Sequence, residues 1–338
     1  MLGQVEITPF HWAGFIVVVL LFLSLDLGVF HRRAHVVRFQ EAFTWTVVWF
    51  GLALVFAFAF VKPNMGEKKT LLFITGYITE LSLSMDNVFV IALIFAYFRI
   101  PTEHQHRVLF WGILGALIMR GLMILAGVSL IERFEWLLYL FGAFLIYSSL
   151  KMMFADEEGV HPEKNPVIRF AQKVYPVAST FDGQKFIAHV DGRRALTPLA
   201  IVLLMVETTD VIFAVDSIPA IFGLTTDPFI VFTSNVFAIL GLRSLYFVLA
   251  GAIGYFRYLK VGLSIVLAFI GVKMLLDPHL KEHELREARW FQIEIDPNVS
   301  LAVVASIILT SMIFSLIVAR RGHPAARKAR DDSEPDSP

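Results

Sequence analysis

Nine stretches of this 338-residue chain are each apolar for about twenty residues or more, and those lengths decide what the chain can fold into. Crossing ~30 Å of hydrocarbon as an α-helix takes about 20 mostly apolar residues, because every backbone amide must find its partner within the segment. The stretches run over about 9–30, 41–61, 70–98, 108–131, 135–154, 196–222, 229–251, 257–276 and 298–319. The third is long enough to include an interfacial turn at one end. The expected fold is therefore all-α, a polytopic membrane bundle of about nine transmembrane helices. Composition agrees: 17% of residues are charged and mean hydropathy is +0.69, against roughly a quarter charged in soluble domains.

Charge and cysteine usage narrow the function. Basic and acidic residues balance at 29 each, which implies no nucleic-acid or other polyanionic partner. With no cysteine, disulfides, thiolate metal sites and cysteine nucleophiles are excluded. The opening MLGQVEITPF holds no Lys or Arg, whereas a signal peptide needs a positive region before its apolar stretch. The first span reads as retained.

Basic residues in the loops predict the orientation. With the N-terminus outside, the inner loops hold 18 Lys and Arg and the outer loops 7, so the C-terminus is expected in the cytoplasm. The inner loop 155–195 contains FIAHV-DG-RRALTP, apolar segments around an Asp-Gly pair, which predicts a small β-hairpin. The outer loop 277–297 is charged and helix-compatible, with Trp290 as an interfacial anchor. The Pro-, Ser- and charge-rich tail 320–338 is expected to be disordered, leaving 1–319 as the membrane domain.

The chain also repeats itself. The third span carries Glu80, Asp86 and Asn87 in ELSLSMDN; the sixth carries Asp210, Asp216 and Ser217 in DVIFAVDS. Downstream, Arg120 of the fourth span matches Arg243 of the seventh, and Lys151 of the fifth matches Lys273 of the eighth. The offsets are 130 for each acid, 123 for the arginines and 122 for the lysines, a drift explained by a shorter loop before the seventh span. Repeat one covers about 70–154 and repeat two about 196–276, three spans each. Three is odd, so the second copy enters the membrane from the other side. Such inverted repeats are the plan of many secondary transporters, with the site near the midplane between the copies.

Six acids fall within the predicted spans: Asp26, Glu80, Asp86, Glu207, Asp210 and Asp216. Each costs about 2.5–3.5 kcal/mol near a helix centre on insertion scales, so a compensating role is expected. Arg120 and Arg243 balance only part of this charge, while Lys151 and Lys273, at span ends, can snorkel to the headgroups. A surplus of carboxylates suits a hard divalent cation such as Mg²⁺, Ca²⁺ or Mn²⁺. Asn87, Ser217, Thr208 and Thr209 can add neutral oxygens. The candidate metal-ligating residues are Glu80, Asp86, Asn87, Glu207, Asp210 and Asp216; Asp26, Arg120 and Arg243 are candidates for charge balance or proton coupling. Glu207 and Asp210 lie about 60° apart around a helix and can share an ion, whereas acids six apart differ by about 240° and about 9 Å. Pro219 removes the hydrogen bond to the carbonyl of Val215 and is expected to kink the sixth span beside Asp216. For Asp26 and Glu80, a packing ion pair with an intramembrane arginine is a competing reading.

On these residues the chain resembles the TerC family of membrane proteins, in particular its Alx-type members. The resemblance covers nearly all of 9–319 and rests on LDLGVFHRRAH with EAFTWTVVWF, on ELSLSMDNVFVIALIF and on VETTDVIFAVDSIPAIF. It implies a place in the LysE-like transporter superfamily, manganese export, links to tellurite resistance and to an alkaline-pH-responsive regulatory RNA, and a bacterial inner-membrane location. The family's acidic positions carry over to Glu80, Asp86, Glu207, Asp210 and Asp216, beside Asn87 and Ser217.

The expected function is a secondary transporter that exports Mn²⁺ from the cytoplasm in exchange for protons. It is not expected to be an enzyme or to carry a cofactor, and its partners are membrane lipids and the ion itself. The alternative is a non-transport membrane subunit organising a metal- or tellurite-stress or protein-insertion complex. An intramembrane hydrolase is disfavoured because GxGD and HExxH motifs are absent.

Overall fold

The computed structural model describes residues 7–25, 39–154, 165–178, 180–190, 193–250, 259–276 and 295–331. Its helices are α1 (Pro9–Leu25), α2 (Phe39–Phe56), α3 (Lys62–Tyr97), α4 (Thr102–Arg133), α5 (Leu137–Phe154), α6 (Pro166–Val174), α7 (Pro198–Phe222), α8 (Pro228–Ala250), α9 (Leu259–Leu276) and α10 (Pro297–Asp331). Over its described residues, each of the nine apolar stretches falls largely on a helix. Among the described residues, six helical runs are long and apolar enough to cross a membrane, and Pro9–Ser24 is a shorter apolar helix. One of the six, Phe39–Tyr97, joins α2 to α3 through a π-helical turn at Ala57–Val61. The chain is an all-α membrane helix bundle.

The third span itself is continuous helix to Tyr97, without the expected turn inside it; the break in α3 lies before it, at Gly66, where φ is 88° and ψ 177°. A side chain there would force an L-residue into a conformation open only to glycine. The break separates the first turn of α3 from the long acidic part that follows.

The helices pack in reciprocal pairs. α3 packs on α8 and α4 on α7, while α3 with α7, α4 with α8 and α5 with α9 meet directly. Outside these six helices, α2 covers α8, and α10 lies against α3 and α9. α8 is the central element, with 94% of its apolar window buried against 22–44% for the other candidate spans. Its buried Thr233, Ser234 and Asn235 donate to the carbonyls of Phe229, Ile230 and Val231, one turn earlier. Polar groups so placed satisfy themselves and leave α8 compatible with a dry interior. At the crossing of α5 and α9, a Cβ on Gly142 would meet the Gly271 carbonyl at 3.0 Å, and one on Gly271 the Gly142 carbonyl at 2.9 Å. Two backbones touch there because neither residue has a side chain.

The outward faces are apolar: Leu21, Val55, Leu122, Leu125, Leu309 and Ile313 are all exposed. Acyl chains, not water, are the solvent such faces need.

The predicted hairpin is present. β1 (Ile187–Val190) and β2 (Arg193–Leu196) pair antiparallel, Ile187 opposite Leu196 and Val190 opposite Arg193, on either side of the Asp-Gly pair. It is tied to the bundle by Thr197, whose hydroxyl donates to the Lys185 carbonyl at 2.7 Å and accepts from Ala200 N–H at the start of α7. Arg107 at the start of α4 sits over the ring of Phe186, 5.2 Å from its centroid. α10 remains helical to Asp331, across much of the tail for which the sequence predicts disorder; Ala, Arg and Lys there favour helix. The charged loop with Trp290 lies outside the described residues.

Candidate functional site

The two repeated acid pairs lie on α3 and α7, which pack together, and α4 supplies the cation between them. Arg120 is buried, 2% exposed. Its Nη1 is bonded to Glu80 of α3, also 2% exposed. The other side of the guanidinium takes Asp210 of α7, with Nη2 donating to Oδ1 at 2.9 Å and Nε to Oδ2 at 3.2 Å. Nη1 also reaches Ser217 Oγ at 3.3 Å and Asn235 Oδ1 at 3.4 Å. Asn87 donates to Asp210 Oδ1 at 3.4 Å. A planar fork that meets one carboxylate in two places fixes orientation as well as charge. The two repeats are thereby joined through one side chain.

Among the described residues, no arginine is bonded to the second acid of each pair. Asp86 and Asp216 line one cavity together with Glu80, Asn87, Ser217 and Arg120, closed by Leu83, Met152, Phe213 and Leu267. The cavity has a volume of about 20 Å³, enough for one water molecule or a small ion. Asp216 Oδ1 accepts from Ser148 of α5 at 2.8 Å. Two lysines act at longer range, Lys260 on Asp86 and Lys151 on Asp216.

The remaining predicted residues are placed as follows. Glu207 is half-buried on α7, its carboxylate lying against Gly115 of α4 in the space a Cβ there would fill, and it feels the charge of Asp210. The Thr208 and Thr209 hydroxyls donate back to Leu204 and Met205 carbonyls. Arg243 is half-buried on α8 and does not line the cavity. Asp26 lies outside the described residues. α7 stays helical through Pro219 to Phe222, and the missing proline N–H deprives the Val215 carbonyl of its helical donor. Lys273, expected to snorkel, is fully buried instead, because α9 is packed between α5 and α10.

Glu80 and Asp210, predicted as metal-ligating, face a guanidinium in this arrangement. Among the described residues no group of three or more His, Asp or Glu side chains is gathered closely enough to hold a metal. The physical reason is Arg120, which takes two of the carboxylates. Three contributors to the site have little signal in the sequence: Ser148, Asn235 and Gly115. Small and amide residues are common in apolar helices, and only the packing of α4, α5, α7 and α8 gives these their place.

Residues 65–323, which include both acid pairs and every helix of the cavity, match the description of the integral membrane protein TerC family. The chain belongs to the TerC family. It is 51% identical over 313 residues to the uncharacterized membrane protein STKORF319 of Myxococcus xanthus, covering 93% of this chain and 94% of that one. It is 44% identical over 322 residues to an Escherichia coli K12 protein named as a candidate membrane-bound redox modulator, Alx, covering 93% and 96%. A Salmonella typhi protein of the same name is 47% identical over 277 residues, covering 80% and 86%. No solved structure matches this TerC chain.

Proposed function

We propose that this protein is a secondary transporter that carries a hard divalent cation, Mn²⁺ first among them, out of the cytoplasm in exchange for protons. The observation that carries the reading is the division of labour among four acids. Arg120 engages Glu80 and Asp210, while Asp86 and Asp216 face a shared cavity with amide and hydroxyl oxygens beside them. Oxygen-only ligation suits Mg²⁺, Ca²⁺ or Mn²⁺. An ion there would be held by the two carboxylates, with the Asn87 and Ser217 oxygens beside them.

Two three-helix units of opposite orientation, α3–α5 and α7–α9, form the moving parts. The reciprocal packing of α3 on α8 and α4 on α7 supports that plan. The cavity lies between the units, where rocking one against the other exposes it to each side in turn. Nine spans with the N-terminus outside complete the topology, supported by the excess of basic residues in the inner loops. Without cysteine the chain has no thiol redox chemistry, and moving a redox-active metal is one route by which the redox name of the relatives would fit it.

Purified protein in liposomes tests this. Flux of Mn²⁺ is expected to exceed that of Ca²⁺, Mg²⁺ and Zn²⁺ and to quicken when a proton gradient opposes the metal's direction. Absence of any flux, with stable co-purifying proteins, would favour the non-transport subunit instead.

A further inference from the structure

The short helix α6 of the loop between the repeats has three distinct sectors. Val167, Phe170 and Val174 fall within about 60° around the helix, and they are 42%, 69% and 53% exposed. About 100° away from Val167, Ile168 is buried at 1% against the bundle. Arg169, Gln172 and Lys173 occupy the remaining face and are exposed. Tyr175 and Val177, just past the helix end, are also exposed. An apolar face this open is costly in water, and nothing among the described residues covers it.

The position of α6 says what does. Asn165 caps its start, accepting from Val167 N–H at 2.9 Å, and the same side chain's Nδ2 lies 3.5 Å from Met205 Sδ of α7. Met205 is seven residues beyond Pro198, about 10 Å along a helix of 1.5 Å rise per residue. α6 therefore lies beside a membrane-crossing helix and not beyond its end. Seven residues further along α7, Ile212 falls within about 20° of Met205 around the helix and is exposed, as is Val215, so the flank of α7 on which α6 lies is apolar and open. Arg169 and Lys173 are placed on the opposite face, as in helices that lie in the plane of an anionic headgroup layer.

We infer that α6 is an interfacial helix that buries Val167, Phe170 and Val174 at the boundary of headgroups and acyl chains, with Arg169 and Lys173 turned to anionic lipid phosphates and water. It anchors the loop that joins the two repeats to the membrane surface. The anchor needs only the bilayer and is independent of what the protein carries.

The chain has no cysteine, so single substitutions can be spin-labelled cleanly. Val167→Cys, Phe170→Cys, Val174→Cys, Lys173→Cys and, as a water reference, Lys185→Cys on the exposed approach to the hairpin are each to be labelled in full-length protein. The label's collisions with oxygen and with a water-soluble nickel chelate are then measured in vesicles of phosphatidylethanolamine and phosphatidylglycerol. The inference predicts an oxygen-to-nickel ratio several-fold higher at 167, 170 and 174 than at 173 and 185. A ratio at 170 equal to that at 185 would overturn it. So would labels at 167, 170 and 174 shielded from both reagents, which would mean that a second copy of the chain covers the face.

Discussion

Asp210 on α7 receives two hydrogen bonds from Arg120 on α4, 2.9 Å from Nη2 and 3.2 Å from Nε. Because Arg120 is also bonded to Glu80 on α3, removing it leaves one buried and one largely buried carboxylate without their partner. Breaking a buried ion pair from one side costs about 3–5 kcal/mol. Arg120→Gln is expected to lower the thermal midpoint in detergent steeply. The triple variant Glu80→Gln, Arg120→Gln, Asp210→Asn should recover much of the loss, since no uncompensated charge remains. Arg120→Lys should recover less than a conservative exchange would suggest, because an ammonium cannot form the fork.

Gly115 gives a second prediction. The Glu207 carboxylate occupies the volume a Cβ at 115 would take, and as the end of a flexible side chain it can swing away. Gly115→Ala is expected to change stability by less than about 1 kcal/mol, as at sites without core disruption, yet to slow metal flux. In a Glu207→Gln background the same substitution should add little, since two changes acting through one group are not additive.

How much of this was legible in the sequence differs by residue. The spans follow from apolar length, and the hairpin from Asp191 and Gly192 between apolar segments. Arg120 and the acid pairs stand out because charges are rare in such helices. Which acids Arg120 would choose was not legible, since Glu80, Asp86, Asp210 and Asp216 all lie within reach of some rotation of α4. Lys273 differs from expectation for a related reason: its position at a span end suggests snorkelling, but the packing of α9 between α5 and α10 encloses it. Ser148 carries no signal of its own among the small residues of α5.

That serine leads to a third prediction. Its hydroxyl donates to Asp216 Oδ1 at 2.8 Å and holds the carboxylate at the cavity wall. A hydrogen bond to a charged group is worth about 1.5–3 kcal/mol. Ser148→Ala is expected to raise the metal concentration needed for half-maximal flux by roughly tenfold, the equivalent of about 1.4 kcal/mol. Expression and thermal midpoint should stay near wild type.

The contact of Gly142 with Gly271 supports a fourth. Each would place a Cβ against the other's carbonyl, so a larger side chain must push α5 and α9 apart. Overpacking of this kind costs about 1–3 kcal/mol. Gly142→Val and Gly271→Val should each lower the thermal midpoint, while Gly14→Ala, with open space around it, should leave it unchanged.

The central claim is that Asp86 and Asp216 together hold the cargo. Its most direct measurement is Mn²⁺ flux into liposomes by wild type, Asp86→Asn and Asp216→Asn, each checked for monodispersity and thermal midpoint. Both variants are expected to fold and to lose at least about tenfold in flux, a loss of about 1.4 kcal/mol or more. Folded variants that carry Mn²⁺ at the wild-type rate would contradict the account.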